Sequence, residues 1–151
     1  MSIYITGGNG LICGRLAQKL CDTNDVIVLS RNVTNYPKNI KSVIVKNYSD
    51  INLDKHDTVI HTASPNHSKC ENLSIFNSYV DDTKRLIKKS LDAQVANFIF
   101  TSSTRIYGDN LKGSIDEMTP IVIDDNYSIM KHEIEKTLLN CNSLNSCIVR
   151  I

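Results

Sequence analysis

Six short apolar runs punctuate the chain: "SIYIT" (2–6), "VIVLS" (26–30), "SVIVK" (42–46), "DTVIHTA" (57–63), "NFIFTS" (97–102) and "SCIVRI" (146–151). Each is rich in Ile, Val or Phe. Their hydrophobicity is continuous rather than alternating, which predicts strands buried on both faces. Helix-like segments fall between several of them, over Leu11 to Cys21, roughly Leu73 to Ala93, and Tyr127 to Leu139. In the last, Met130, Ile134 and Leu138 recur at every fourth position and form one stripe facing a core. Strands alternating with helices of these lengths predict an α/β fold built on a doubly wound parallel sheet. In such sheets ligands bind at the carboxyl ends of the strands, where the strand order reverses. The search for chemistry is thereby confined to strand ends.

Composition adds limits rather than a function. The 151 residues make one ordinary domain, with 22% charged residues and a formal net charge of +1. Near neutrality gives no footing for nucleic acid or an anionic membrane as partner. The densest basic run, Lys84 to Lys89, fits a solvated helix face. Five cysteines, with no C-x-x-C pair and no secretory leader, suggest reduced thiols in a cytoplasmic protein. His61, His67 and Cys70 are close in sequence, but their spacing matches no common zinc pattern, so no metal is expected.

The first strand runs into "TGGNGLICG", which holds four of the six glycines and opens the first helix. Gly7 permits a tight turn. Gly10 lets backbone N–H groups at Gly10, Leu11 and Ile12 approach a pyrophosphate at the helix N-terminus. Strand, turn and helix in that order point to a dinucleotide-binding, Rossmann-type loop. No Lys-Ser/Thr pair follows the glycines, which disfavours a P-loop nucleotidase. A loop selective for NAD commonly has an acid at the end of strand two, to accept from the ribose 2′-hydroxyl. Here Ser30 and Arg31 stand instead, and Arg31 can pair with a 2′-phosphate, so NADP is favoured over NAD.

Further along, "NYSIMK" puts Tyr127 and Lys131 four apart on one helical face, and "FTSSTRIYG" places Ser102 and Ser103 at the end of strand five. A methyltransferase would share the glycine loop but would not call for the serine and the Y-x-x-x-K pair. Taken with "TGGNGLI", "DTVIHTAS", "DEMTP" and "NYSIMKHEIE", these blocks resemble the extended short-chain dehydrogenase/reductases, also called the NAD-dependent epimerase/dehydratase family. The resemblance implies that Tyr127 is the catalytic acid/base, Lys131 its partner and a ribose ligand, and Ser103 the hydroxyl that orients substrate. It also implies cofactor contacts at Gly7, Gly10, Leu11, Ile12, Ser30, Arg31 and Ala63, a nucleotide-sugar substrate, and dimerisation through helices 73–93 and 127–139. The residue types suit the work. Free tyrosine titrates near pH 10, and a neighbouring ammonium favours the phenolate that can take a proton from a sugar hydroxyl.

Four positions depart from the family pattern. Cys13 stands for the third glycine, where close helix–strand packing is usual, and Asn47 stands where an acid often contacts adenine. Tyr79 and Asp82 replace the Asn and Gly of an N-V-x-G-T segment. The family continues beyond a strand like "CIVRI" into a smaller substrate domain, so residues 1–151 correspond to its cofactor-binding part. The expected function is an NAD(P)-dependent epimerase or 4-keto reductase acting on sugar nucleotides, or alternatively a non-catalytic dinucleotide sensor or an inactive fragment of such an enzyme. A dehydratase ranks last, because "TSSTRI" lacks the Thr-Asp-Glu run usual there.

Overall fold

The computed structural model describes residues 1–109 and 113–151. Strands β1 (Ser2–Thr6), β2 (Asp25–Ser30), β3 (Lys41–Ile44), β4 (Thr58–His61), β5 (Asn97–Ser102) and β6 (Ser146–Arg150) form one sheet in the order β3-β2-β1-β4-β5-β6. Every pairing is parallel. The chain builds outward from β1 through β2 and β3, then returns to β4 on the other side of β1. That return creates the reversal point between β1 and β4, where such folds bind ligands.

Helices pack on both faces of the sheet. Helix α1 (Leu11–Leu20) buries Cys13 and Ala17 against Ile3, Ile5, Val26 and Val28. On the other face, α2 (Leu73–Asp92) and α3 (Asn126–Leu139) pack Leu86, Ile87, Met130, Ile134 and Leu138 onto Val59, Phe98 and Phe100. Alternate residues of the same strand serve the two cores. Val59 faces one and Ile60 the other, which explains why the central strands read as unbroken apolar runs. The outer strands correct that expectation. All four β3 residues are exposed, and β6 alternates between half-buried and exposed, because an edge strand has a neighbour on one side only. Cys13 is fully buried at the helix–strand contact.

Local chemistry fixes the helix ends. Asp125 caps α3, accepting from the Ser128 N–H at 2.6 Å, while the Ser128 hydroxyl accepts from the Asp125 N–H at 3.2 Å. Asn72 caps α2 by accepting from the Ser74 and Ile75 N–H groups. At its other end α2 closes with paired bonds from Gln94 N–H to the Leu91 carbonyl and Val95 N–H to the Ser90 carbonyl, and Gln94 sits at φ +53°. Helix α3 is tied to β6 by the buried Glu135 carboxylate, which takes a two-pronged bond from Arg150 at 2.8 and 3.1 Å.

Candidate dinucleotide site

The reversal point is stitched by one hydroxyl. Thr6 Oγ1, at the end of β1, accepts from the backbone N–H groups of Thr62 and Ala63 at 3.1 Å each. With both lone pairs used, its own proton goes to His61 Nδ1, 2.8 Å away. His61 therefore carries its proton on Nε2 and donates it to Thr83 Oγ1 at 3.0 Å. The ring is fully buried, stacked between Tyr79 and Phe100 with centroids 5.9 Å from each. Burial, with Lys131 nearby adding to it, pulls its pKa down to about 3, so it is neutral at physiological pH. This histidine is a structural strut joining β1, β4 and α2.

The glycine loop follows directly from β1. Gly7 has φ +86°, and a Cβ there would lie 2.9 Å from the Ala63 nitrogen, so only glycine fits. Gly8, which sequence reasoning passed over, is also constrained, by side chains of β2. A Cβ on it would come 2.8 Å from Val28 Cγ1 and 2.9 Å from Ser30 Cβ. Gly10 is the N-cap of α1, so no side chain occupies the helix start, and the first turn carries no acid. Leu11 and Ile12, expected to contact a cofactor, are exposed on the first turn of α1 and are not among the residues lining the cleft over this loop. Gly14 has no such role, since a Cβ there would meet only the Tyr36 hydroxyl at 3.8 Å.

Over this loop lies a cleft of about 750 Å³. It is lined by Gly7, Gly10, Ser30, Arg31 and Ala63, five of the residues expected to hold a cofactor. Its charge is uneven. Arg31, Lys46 and Lys69 line it against a single carboxylate, Asp82, among the described residues. Asp82 is itself paired with Arg85 at 3.3 Å. The end of β2 offers no acid: Ser30 is buried, with its Oγ accepting from the Asn32 N–H at 3.2 Å, and Arg31 is exposed beside it. A glycine cradle, an open helix N-terminus and a cationic wall fit a pyrophosphate-bearing dinucleotide.

The structure brings Tyr127 and Lys131 together at one side of this region. The Lys131 ammonium lies 5.6 Å from the centre of the Tyr127 ring and donates to the Thr101 carbonyl at 3.0 Å. It is 2% exposed and also packs on the rings of Phe100 at 5.0 Å and Tyr79 at 5.7 Å. Burial lowers its pKa to about 8, against the pull of Cys70 and Glu135 in the opposite direction. Neither Tyr127 nor Lys131 lines the cleft itself. Ser103 follows β5, half-buried, with its Oγ accepting from the Arg105 N–H at 3.3 Å. Arg105 in turn is anchored to Asp125 and doubly to Asp109, at 2.9 and 3.0 Å. Burial alone would raise the Asp125 carboxyl, but the Ser128 N–H, Arg105 and His67 outweigh it and bring it to about 2.

Two contributors were assigned no role from the sequence. Tyr36, from the loop after β2, donates to the Gly8 carbonyl at 2.7 Å and braces the glycine loop from behind. Asp57 accepts from the backbone N–H groups of Ser2 and Asp54 at 2.8 Å each, fixing the start of β4 beside β1. The "DTVIHTA" block thus holds its Asp and His as braces for the site rather than as ligands.

Known proteins share this fold. The chain is 27% identical over 154 residues to a UDP-glucose 4-epimerase of Halalkalibacterium halodurans, an alignment covering 93% of this chain and 46% of that protein. Among solved structures, the UDP-glucose 4-epimerase of Thermus thermophilus, in complex with NAD, superposes with a TM-score of 0.85 at 21% identity, covering 99% of this chain and 54% of that one. A UDP-N-acetylglucosamine 4-epimerase from Methanobrevibacter ruminantium superposes at 0.84 and 23% identity, over 99% and 54% respectively. The chain spans about half the length of these three proteins. The description of the NAD dependent epimerase/dehydratase family matches residues 3–151. The glycine loop, the parallel sheet and the paired Tyr127 and Lys131 lie within that match, and the chain belongs to the NAD dependent epimerase/dehydratase family.

Proposed function

We propose that the chain is the cofactor-binding half of an NAD(P)-dependent enzyme acting on nucleotide sugars, either a 4-epimerase or a 4-keto reductase. The observation that carries this reading is the approach of the buried Lys131 to the Tyr127 ring beside a glycine-cradled cationic cleft. Tyr127 moves the proton of a sugar hydroxyl, Lys131 supplies positive charge next to it, and Ser103 orients the sugar from the end of β5. A bound nicotinamide supplies the acceptor or donor of hydride. Gly7, Gly10 and the N–H groups of Leu11 and Ile12 receive its pyrophosphate, and Ala63 borders the same opening.

NADP is the favoured cofactor. Arg31 and Lys46 flank the ends of β2 and β3, and Ser30 stands where a carboxylate would repel a 2′-phosphate. NAD is the alternative, as in the Thermus thermophilus relative. Titration of wild type and Arg31→Asp with both dinucleotides tests the choice. Loss of NADP preference in the variant supports it, and an unchanged preference contradicts it. Activity is tested by mixing the full-length protein with NADPH and a 4-keto sugar nucleotide. NADPH oxidation that Tyr127→Phe abolishes supports the reductase, and turnover of UDP-glucose without net oxidation supports the epimerase.

One observation favours a second reading, a dinucleotide sensor without catalysis: Lys131 is sealed from solvent and does not line the cleft. Saturable dinucleotide binding with no turnover on either substrate would establish it.

A further inference from the structure

Among the described residues, one that lines the cleft carries a buried side-chain polar atom without a hydrogen-bond partner. Tyr79 is 8% exposed and lines the cleft from α2, yet among the described residues its hydroxyl has no hydrogen-bond partner. The two hydroxyls near it, Ser64 and Thr83, each already make another bond. Ser64 Oγ donates to the Pro65 carbonyl at 3.0 Å, and Thr83 Oγ1 receives the proton of His61 Nε2 at 3.0 Å. An unsatisfied buried hydroxyl costs folding free energy, and such atoms are rare in native interiors. One that borders a ligand cleft is accounted for when the ligand completes its bonding.

Topology says which part of the ligand that is. Arg31 and Lys46 stand at the ends of β2 and β3, on one side of the glycine loop that follows β1. Tyr79 stacks on His61, the last residue of β4, and its ring lies 5.7 Å from the Lys131 ammonium, on the other side of β1. A dinucleotide laid across the loop with its adenosine over β2 and β3 brings its nicotinamide riboside over β4. Resting on the dinucleotide reading above, we propose that Tyr79 is a cofactor-binding residue whose hydroxyl bonds an oxygen of the nicotinamide riboside. Tyr79 thereby serves the half of the cofactor that reacts, and the aromatic ring holds Lys131 and His61 in place whether or not the cofactor is present.

Tyr79→Phe removes the hydroxyl and keeps the ring. Calorimetric titration with the preferred dinucleotide is expected to show affinity reduced about three- to tenfold, the worth of one hydrogen bond. Titration with ADP, which lacks the nicotinamide riboside, is expected to be unchanged. The thermal midpoint of the ligand-free variant is expected to equal or exceed that of wild type, because an unpaired buried hydroxyl has gone. Equal dinucleotide affinity in wild type and variant overturns the proposal. So does an equal loss for ADP, or a fall in the thermal midpoint with no selective loss of dinucleotide. Failure of wild type to bind either dinucleotide overturns the dinucleotide reading itself, and this inference with it.

Discussion

The Lys131 ammonium lies 5.6 Å from the centre of the Tyr127 ring, in a pocket that leaves the lysine 2% exposed. Burial brings its pKa from 10.5 to about 8, so the unfolded chain holds this proton more tightly than the folded one. The resulting loss of stability is absent above about pH 10.5, grows as pH falls towards 8, and is complete below it, at about 3 kcal/mol. Lys131→Met is therefore expected to be more stable than wild type at pH 7, by about 1–2 kcal/mol once the lost bond to the Thr101 carbonyl is counted. Urea unfolding at pH 7 and pH 10 checks this, the advantage shrinking at the higher pH.

His61 has the same sign over a lower pH window. Its folded pKa of about 3 lies below the ordinary 6.5, so stability is intact above pH 6.5 and declines as pH falls towards 3. The slope from this residue is about 1.4 kcal/mol per pH unit. His61→Gln is expected to be less stable than wild type at pH 7, because the bonds to Thr6 and Thr83 are disturbed. Between pH 6.5 and 4.5 its stability should fall less steeply by close to one proton, which unfolding curves across that range measure.

Two glycines, one in the loop after β1 and one in α1, should respond in opposite directions. Gly7→Ala forces a side chain onto φ +86° and within 2.9 Å of the Ala63 nitrogen, and is expected to lower stability by at least ~2 kcal/mol and to narrow the cleft. Gly14→Ala meets only ordinary contact at 3.8 Å inside α1, and is expected to raise stability by about 0.5–1 kcal/mol with cofactor binding unchanged. Paired denaturation and binding curves distinguish the two.

Gln94 occupies a left-handed position, φ +53°, at the end of α2. Gln94→Gly is expected to stabilise the chain by about 0.5–1 kcal/mol, read as a rise in the unfolding midpoint without a change in its slope.

The sheet was legible because its central strands are buried on both faces. "DTVIHTA" and "NFIFTS" could be little else, and β4 and β5 lie within those ranges. The edge strands shared that apolar character without sharing the burial, since nothing in "SVIVK" says that β3 has a neighbour on one side only. Within the site, Gly7 and Gly10 announced themselves through local spacing. Gly8 did not, because its constraint comes from Val28 and Ser30, which follow it by some twenty residues of sequence. Tyr36 is silent for the same reason: its bond to the Gly8 carbonyl spans 28 positions. The spacing of Tyr127 and Lys131 was plain, whereas the sealing of Lys131 by Tyr79 and Phe100 depends on how α2 and β5 meet α3.

The central claim is that the glycine loop after β1 binds a dinucleotide across the reversal point. Amide NMR of the chain during titration with NADPH and NADH tests it most directly. The account predicts saturable shifts at Gly7, Gly8, Gly10, Leu11 and Ile12, with further shifts at Arg31 for NADPH. Absence of saturable shifts in a folded sample at millimolar dinucleotide, or shifts clustered away from this loop, would contradict it.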